Sequence, residues 1–182
     1  RIAGRLDVNA TGKVSGQIET GELSLRDVLA PLFLNWTGPS PGLETGFAAE
    51  LPFGITGEVW LKPSRLVIHP HFVAREAEIG IMAEAGQIQM ALFGKDETGR
   101  DAHVEIVSKG SDSSRKLSGK ISIPVILQSQ MLLTGGAPMA EGQGLVSVNF
   151  ETDGRSPGGA LAGLRGTGDY DIGGMKLLGL SP

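Results

Sequence analysis

Apolar and polar side chains alternate along much of this chain. In Val146-Ser147-Val148-Asn149-Phe150-Glu151 three apolar side chains point one way and three polar ones the other, which marks a strand with one wet face. The same period of two runs through Lys13 to Thr20 (Val14, Ile18), Gln87 to Phe93 (Ile88, Met90, Leu92), Ala102 to Val107 (Val104, Ile106) and Leu117 to Val125 (Leu117, Ile121, Ile123, Val125). Residues 72 to 81 follow it too, with Glu76 and Glu78 facing away from Ala77, Ile79 and Ile81. Turn signals separate these runs at short spacing: Gly94-Lys95-Asp96, Glu97-Thr98-Gly99 and Lys109 to Ser114. The middle of the chain therefore reads as an antiparallel meander.

Three short segments change to helical spacing. In Ser24 to Leu32, Ser24 is placed to cap, and Leu25, Val28, Leu29 and Leu32 form one stripe, with Pro31 keeping the helix short. Pro124 to Leu133 fits a helix stopped by Gly135-Gly136, although its Ile-Ser-Ile-Pro-Val-Ile-Leu opening fits a strand equally well. Ser156 to Leu164 has Ser156 as cap, Pro157 at the first helical position, and Gly166 and Gly168 beyond the end. The three share a layout of strand, turn, short helix, glycine stop and strand, so strand-helix-strand repeats are expected near 12–50, 117–145 and 146–180. The predicted fold is mainly β: an elongated, twisted, groove-like antiparallel sheet with two or three short amphipathic helices, residues 1–182 forming one β-rich segment.

Composition narrows the function classes. Glycine supplies 28 of 182 residues, about twice the ~7% average usage, which favours tight turns over long helices. Sixteen basic against twenty acidic residues give a net charge of −4, and no basic block exceeds Arg115-Lys116, so nucleic acid is not an expected partner. The absence of cysteine removes disulfides and thiolate chemistry. The longest apolar run, Val28 to Leu34, contains a proline and falls well short of the ~20 residues that span a bilayer. Since the chain opens on Arg1 without a signal-peptide pattern, it reads as a segment excised from a longer protein whose targeting and anchoring elements lie elsewhere.

From about Leu117 onward the sequence resembles the C-terminal region of AsmA family proteins. The resemblance is carried by Gly154-Arg155-Ser156-Pro157, the small-residue helix with Leu161 and Leu164, Gly166-Thr167-Gly168, and a closing strand near Gly174 to Leu180. Gly12 to Gly38 looks like an upstream copy of the same strand and helix unit. The resemblance implies a non-enzymatic bacterial envelope protein, anchored in the inner membrane with a long β-rich body in the periplasm. It also implies kinship to the TamB-like and chorein-like bridge proteins thought to move lipid along an apolar groove, and so a place in intermembrane lipid transport and outer-membrane assembly. The matching positions from Gly154 to Gly168 are structural, since the family has no short catalytic or ligand motif.

Several motifs invite chemistry that their context opposes. Gly154-Arg155-Ser156-Pro157-Gly158 satisfies the nucleophile-elbow spacing G-x-S-x-G between a predicted strand and helix. Yet Pro157 has no backbone N–H to give an oxyanion hole, and all three histidines precede Ser156, so a helix cap fits better. His69-Pro70-His71 offers two metal ligands at most, His103 lies on a different predicted strand, and no metal is expected. Asp169 and Asp171 share a strand face and have the spacing of an acid–base pair, which any solvated strand face also produces. Neither G-x-G-x-x-G after a strand nor the lysine of a phosphate-binding loop is present, so no cofactor is expected. Asn35-Trp36-Thr37 matches a glycosylation sequon, a pattern common by chance.

The feature present in quantity is the apolar face itself, built from Val14, Ile18, Ile88, Met90, Leu92, Val104, Ile106, Ile121, Ile123, Val146, Val148 and Phe150. It is either an ordinary closed core or the open side of a curved sheet that dissolves acyl chains. The second possibility makes lipid the expected partner and Ile88, Met90, Leu92, Val104, Ile106, Ile121 and Ile123 the candidate lipid-binding residues. The first leaves a structural scaffold or interaction module that works through its sheet edges.

Overall fold

The alternating segments become strands of one open sheet whose spatial order is the chain order. A computed structural model describes residues 2–33, 46–47, 56–69, 72–84, 86–110, 114–128 and 140–177. β1 (Ile2–Val8) and β2 (Val14–Ser24) form a hairpin, after which α1 (Leu25–Phe33) precedes β3 (Gly57–His69). Then come β4 (Phe72–Glu84), β5 (Gln87–Lys95), β6 (Asp101–Lys109), β7 (Arg115–Gln128) and β8 (Ala140–Gly154), followed by α2 (Pro157–Ala162) and β9 (Arg165–Leu177). All nine strands lie side by side from β1 to β9, mainly β as the alternation predicts. The sheet is mixed, however, because β2 and β3 run parallel while the other seven pairs are antiparallel. A parallel neighbour requires a crossover, and α1 lies in it.

The helices show where sequence signals held and where they were overridden. In α1 the expected stripe is the packed one: Leu25, Val28 and Leu32 are buried together with Phe33, and Pro31 falls in the last turn. In α2, Ser156 is the N-cap, its Oγ accepting from the Gly159 N–H at 3.3 Å, with Pro157 at the first position. That helix stops at Gly163, earlier than expected, and Gly166 and Gly168 belong to β9. The expected helix over Pro124 to Leu133 is corrected: 124–128 are the end of β7, paired residue by residue with β8, where ladder hydrogen bonds and β-branched Val125 and Ile126 favour the strand. Residues 129–133 of that expectation lie outside the described residues.

Two hairpin loops share one device. Asn9-Ala10-Thr11-Gly12-Lys13 and Asp96-Glu97-Thr98-Gly99-Arg100 each begin with a side-chain oxygen that gathers the loop's N–H groups. Asn9 Oδ1 accepts from the N–H of Thr11 (3.0 Å) and Lys13 (2.9 Å), and Asp96 Oδ1 from those of Thr98 (2.8 Å) and Arg100 (2.9 Å). Both loops then need a left-handed residue at the fourth position, which Gly12 (φ 79°) and Gly99 (φ 81°) supply. In the second loop Arg100 also closes onto the Asp96 carboxylate at 2.7 Å. Burial alone would raise the Asp96 carboxyl, but the hydrogen bonds from Thr98 and Arg100 outweigh it and hold the group below its ordinary value.

The register assigns every strand a wet and a dry face. On the wet side Lys62 pairs with Glu78 (2.7 Å), Gln89 donates to Glu105 (3.2 Å), Ser122 meets Ser147 (3.1 Å) and Lys116 approaches Glu151 (3.6 Å). On the dry side α1 joins Leu66, Ala74, Ala77, Ile79, Ile88, Met90, Leu92 and Val104 in one buried cluster. Phe47, from the connection between α1 and β3, is buried as well, and its N–H donates to the Arg155 carbonyl beside α2 (3.1 Å). Phe47 thus sits beside the end of β8. Near that end Arg115 is taken fully inside, its guanidinium directed to Ser108 Oγ and the Gly110 carbonyl, and burial pushes its pKa down.

Candidate functional site

The dry face is continuous across all nine strands, because the register keeps like parity with like. Met90 lies opposite Ile81 and Ile106, Leu92 opposite Ile79 and Val104, Val104 opposite Ile121, Ile121 opposite Val148, and Val146 opposite Ile123 and Tyr170. Toward the β1 edge the same row extends through Leu61 and Val59 to Ile18, Gly16 and Val14, and then to Leu6 and Val8 of β1. A one-residue slip in any pair would break the row, so the alternation read from sequence and the pairing seen in the fold agree for β2 and for β4 to β8.

The row divides into a covered centre and open flanks. Ile88, Met90, Leu92 and Val104 are buried to 5% exposure or less in the cluster that contains α1. Ile106 and Ile121 are partly buried against that cluster, and Ile123 is half-buried beyond it. All seven sequence-predicted lipid-binding residues therefore share one face, but the first four form the closed core. Toward β9 the cover ends: Tyr170 is 77% and Ile172 37% exposed. There, a concavity of about 350 Å³ is lined by Val125, Val146, Tyr170 and Ile172, with Leu145, Gly168, Asp169 and Asp171 completing it. Its size is within the ~300–1,000 Å³ of ligand-sized clefts. The opposite flank, on β1, exposes Ile2, Leu6 and Val8. Single exposed apolar residues need no explanation, whereas a contiguous exposed row does.

The flank residues Tyr170 and Ile172 are absent from the sequence-predicted set. The signal for them was present, since Gly166, Gly168, Tyr170 and Ile172 alternate with Thr167, Asp169 and Asp171, but glycine at two of four positions dilutes an apolar pattern. Packing also explains other glycines of the face. Gly119 sits beneath the Phe150 ring, where a Cβ would come within 2.7 Å of it. The ring therefore supplies the apolar surface that the glycine lacks.

The remaining candidates separate. Asp169 and Asp171 border the concavity at β9 but have the wet parity of that strand, opposite Ser147 and Leu145, and both are exposed. His103 stacks on Phe93 across the β5/β6 pair, ring centroids 4.6 Å apart and nearly parallel, on the wet side. The backbone of His69 ends β3, while His71 and Asn35 to Thr37 lie outside the described residues. Among the described residues no three His, Cys, Asp or Glu side chains are grouped to hold a metal ion. A second depression of about 480 Å³, between β1 and β3 and lined by Arg5, Asp7, Ser15, Gly16, Gln17, Glu58 and Trp60, is wide open to solvent. Among the described residues no helix is long and apolar enough to cross a membrane. No protein-family model, curated protein or solved structure matches this chain.

Proposed function

We propose that the chain is a non-enzymatic, lipid-binding segment of a bacterial envelope protein, its apolar face holding or shielding acyl chains on the periplasmic side of the inner membrane. Lipid movement between membranes and outer-membrane assembly are the processes such a segment serves, and a membrane anchor outside these residues belongs to the same proposal. The observation that carries it is the uninterrupted apolar row over nine strands whose flank stays open at a concavity of about 350 Å³. Each methylene seated there contributes about 0.8 kcal/mol, so binding needs no charged or hydrogen-bonding recognition. The resemblance of 117–182 to the AsmA C-terminal region supports the cellular setting. The acyl contacts are Ile121, Ile123, Val125, Val146, Tyr170 and Ile172, while Ile88, Met90, Leu92 and Val104 build the core on which this flank rests.

Native mass spectrometry of the chain purified from a bacterial host, followed by lipid extraction, tests the proposal. Phospholipid or fatty acid should travel with the wild type and be lost from folded Val146→Glu and Ile172→Lys variants. Lipid-free wild-type protein, or lipid retained in both variants, would remove the proposal. A second reading, a scaffold that recruits a neighbour through its sheet edges, is favoured by the edge strands β1 and β9, each of which pairs on one side only among the described residues.

A further inference from the structure

β9 is an edge strand of 13 residues, and every side chain described along it, from Arg165 to Gly174, is exposed. An exposed edge of that length presents a row of backbone donors and acceptors to any strand that can match it. Its sequence is complementary to itself when reversed. In Arg165-Gly166-Thr167-Gly168-Asp169-Tyr170-Asp171 the residues equidistant from Gly168 are Arg165 with Asp171, Gly166 with Tyr170, and Thr167 with Asp169.

We infer that two copies of the chain join through β9, antiparallel and edge to edge, about a two-fold axis at Gly168. Arg165 of one protomer then lies opposite Asp171 of its partner, and the axis produces that ion pair twice. Thr167 faces Asp169, and each Tyr170 ring crosses the partner's Gly166, an aromatic covering a glycine as Phe150 covers Gly119 within the chain. Among the described residues Arg165, Asp169 and Asp171 make no side-chain ion pair or hydrogen bond, so their charges are available to a second copy.

Other pairings fit worse. A register centred on Asp169 sets that carboxylate against itself, and one centred on Tyr170 sets Asp169 against Asp171. Centring on Thr167 would pair Arg165 with Asp169, but it leaves Tyr170 opposite Leu164 and Asp171 opposite Gly163, both outside the strand, so fewer residues pair. Odd offsets would lay the dry face of one copy beside the wet face of the other. The opposite edge is a poorer partner: β1 has seven residues, and Arg5 and Asp7 already satisfy each other at 2.9 Å. The bulge near Glu141 and Gln143 disturbs only the far part of β9, beyond Ile172, leaving 165–171 regularly paired to β8. In this dimer the two dry faces continue one another across the axis, bringing the two open flanks together. The inference gives the scaffold reading its occupant, and it holds whether or not the face binds lipid.

Sedimentation velocity on the full chain is expected to show twice the 19.0 kDa chain mass at high concentration. Arg165→Asp and Asp171→Arg should each give monomer, and the double exchange Arg165→Asp/Asp171→Arg should restore the dimer. Circular dichroism confirms that each variant is folded. Because the chain has no cysteine, Gly168→Cys gives a clean register test. Directly opposed residues have Cα atoms about 4.5–5.5 Å apart, within disulfide range, so Gly168→Cys should oxidise to a covalent dimer and Thr167→Cys and Asp169→Cys should not. A wild type that is monomeric at every soluble concentration, a dimer indifferent to both charge reversals, or preferential cross-linking at 167 or 169 overturns the inference.

Discussion

Replacing Leu92 by alanine probes the boundary between closed core and open flank. Leu92 is fully buried, opposite Ile79 and Val104, which are themselves 0% and 5% exposed. The neighbours are anchored on two flanking strands and cannot close the gap, so the loss is expected in the upper part of the ~2–5 kcal/mol range for Leu→Ala in cores, about 3–5 kcal/mol. With a urea slope of roughly 2 kcal/mol/M, the unfolding midpoint should fall by about 1.5–2.5 M. Ile172→Ala removes a comparable volume from a partly exposed flank position and should cost less than about 1 kcal/mol. Urea titrations of both variants, followed by far-ultraviolet circular dichroism at unchanged slope, check this. Equal midpoints for the two variants, or a small shift for Leu92→Ala combined with loss of bound lipid, would refute the division and return Leu92 to an open groove.

Two further outcomes follow from local geometry. Gly57 opens β3 at φ 138°, and a Cβ there would lie 1.8 Å from the Val14 carbonyl oxygen in the parallel β2/β3 pair; Gly57→Ala should destabilise by about 1–3 kcal/mol or more, whereas Gly173→Ala, with no atom within 4 Å, should change the urea midpoint little. Asp96→Asn should cost about 1–3 kcal/mol at neutral pH through its weakened bonds to Thr98 and Arg100. Because the folded-state pKa of Asp96 is depressed, that stabilisation is present above the ordinary aspartate value and is lost as pH falls through the folded value. The stability gap between wild type and Asp96→Asn should therefore close in strong acid, and a gap that stays constant across the titration would contradict the hydrogen-bonded carboxylate.

The central strands were legible because Ile88, Met90, Leu92, Val104 and Ile106 alternate without interruption, and burial on one face is what alternation reports. β1 and β3 escaped notice for opposite reasons. β1 has only three apolar side chains on its dry parity, Ile2, Leu6 and Val8, with Gly4 between. β3 is interrupted by Lys62-Pro63-Ser64, yet pairing on both sides holds it extended. The parallel β2/β3 pair was not visible either, since the strand direction after α1 is decided by where the crossover chain lands and not by side-chain period. The two strand-helix units that look alike in sequence thus end differently: α1 leads to a parallel neighbour and α2 to an antiparallel one. No sequence pattern marks Arg115 as buried, and it is the convergence of β6 and β7 at Ser108 and Gly110 that encloses it. For the candidate site, residue type located the face, but burial of Ile88, Met90, Leu92 and Val104 in the core cluster that includes α1 moved its accessible part toward β7 to β9.

Photo-crosslinking inside bacterial cells addresses the location of lipid contact most directly. A benzophenone amino acid placed at Val125, Tyr170 or Ile172 should capture phospholipid on irradiation, while the same probe at Gln17, Lys120 or Asn149 on the wet face should capture none. Equal capture from both faces, or capture from neither in folded protein, would contradict lipid binding by the open flank of the apolar row.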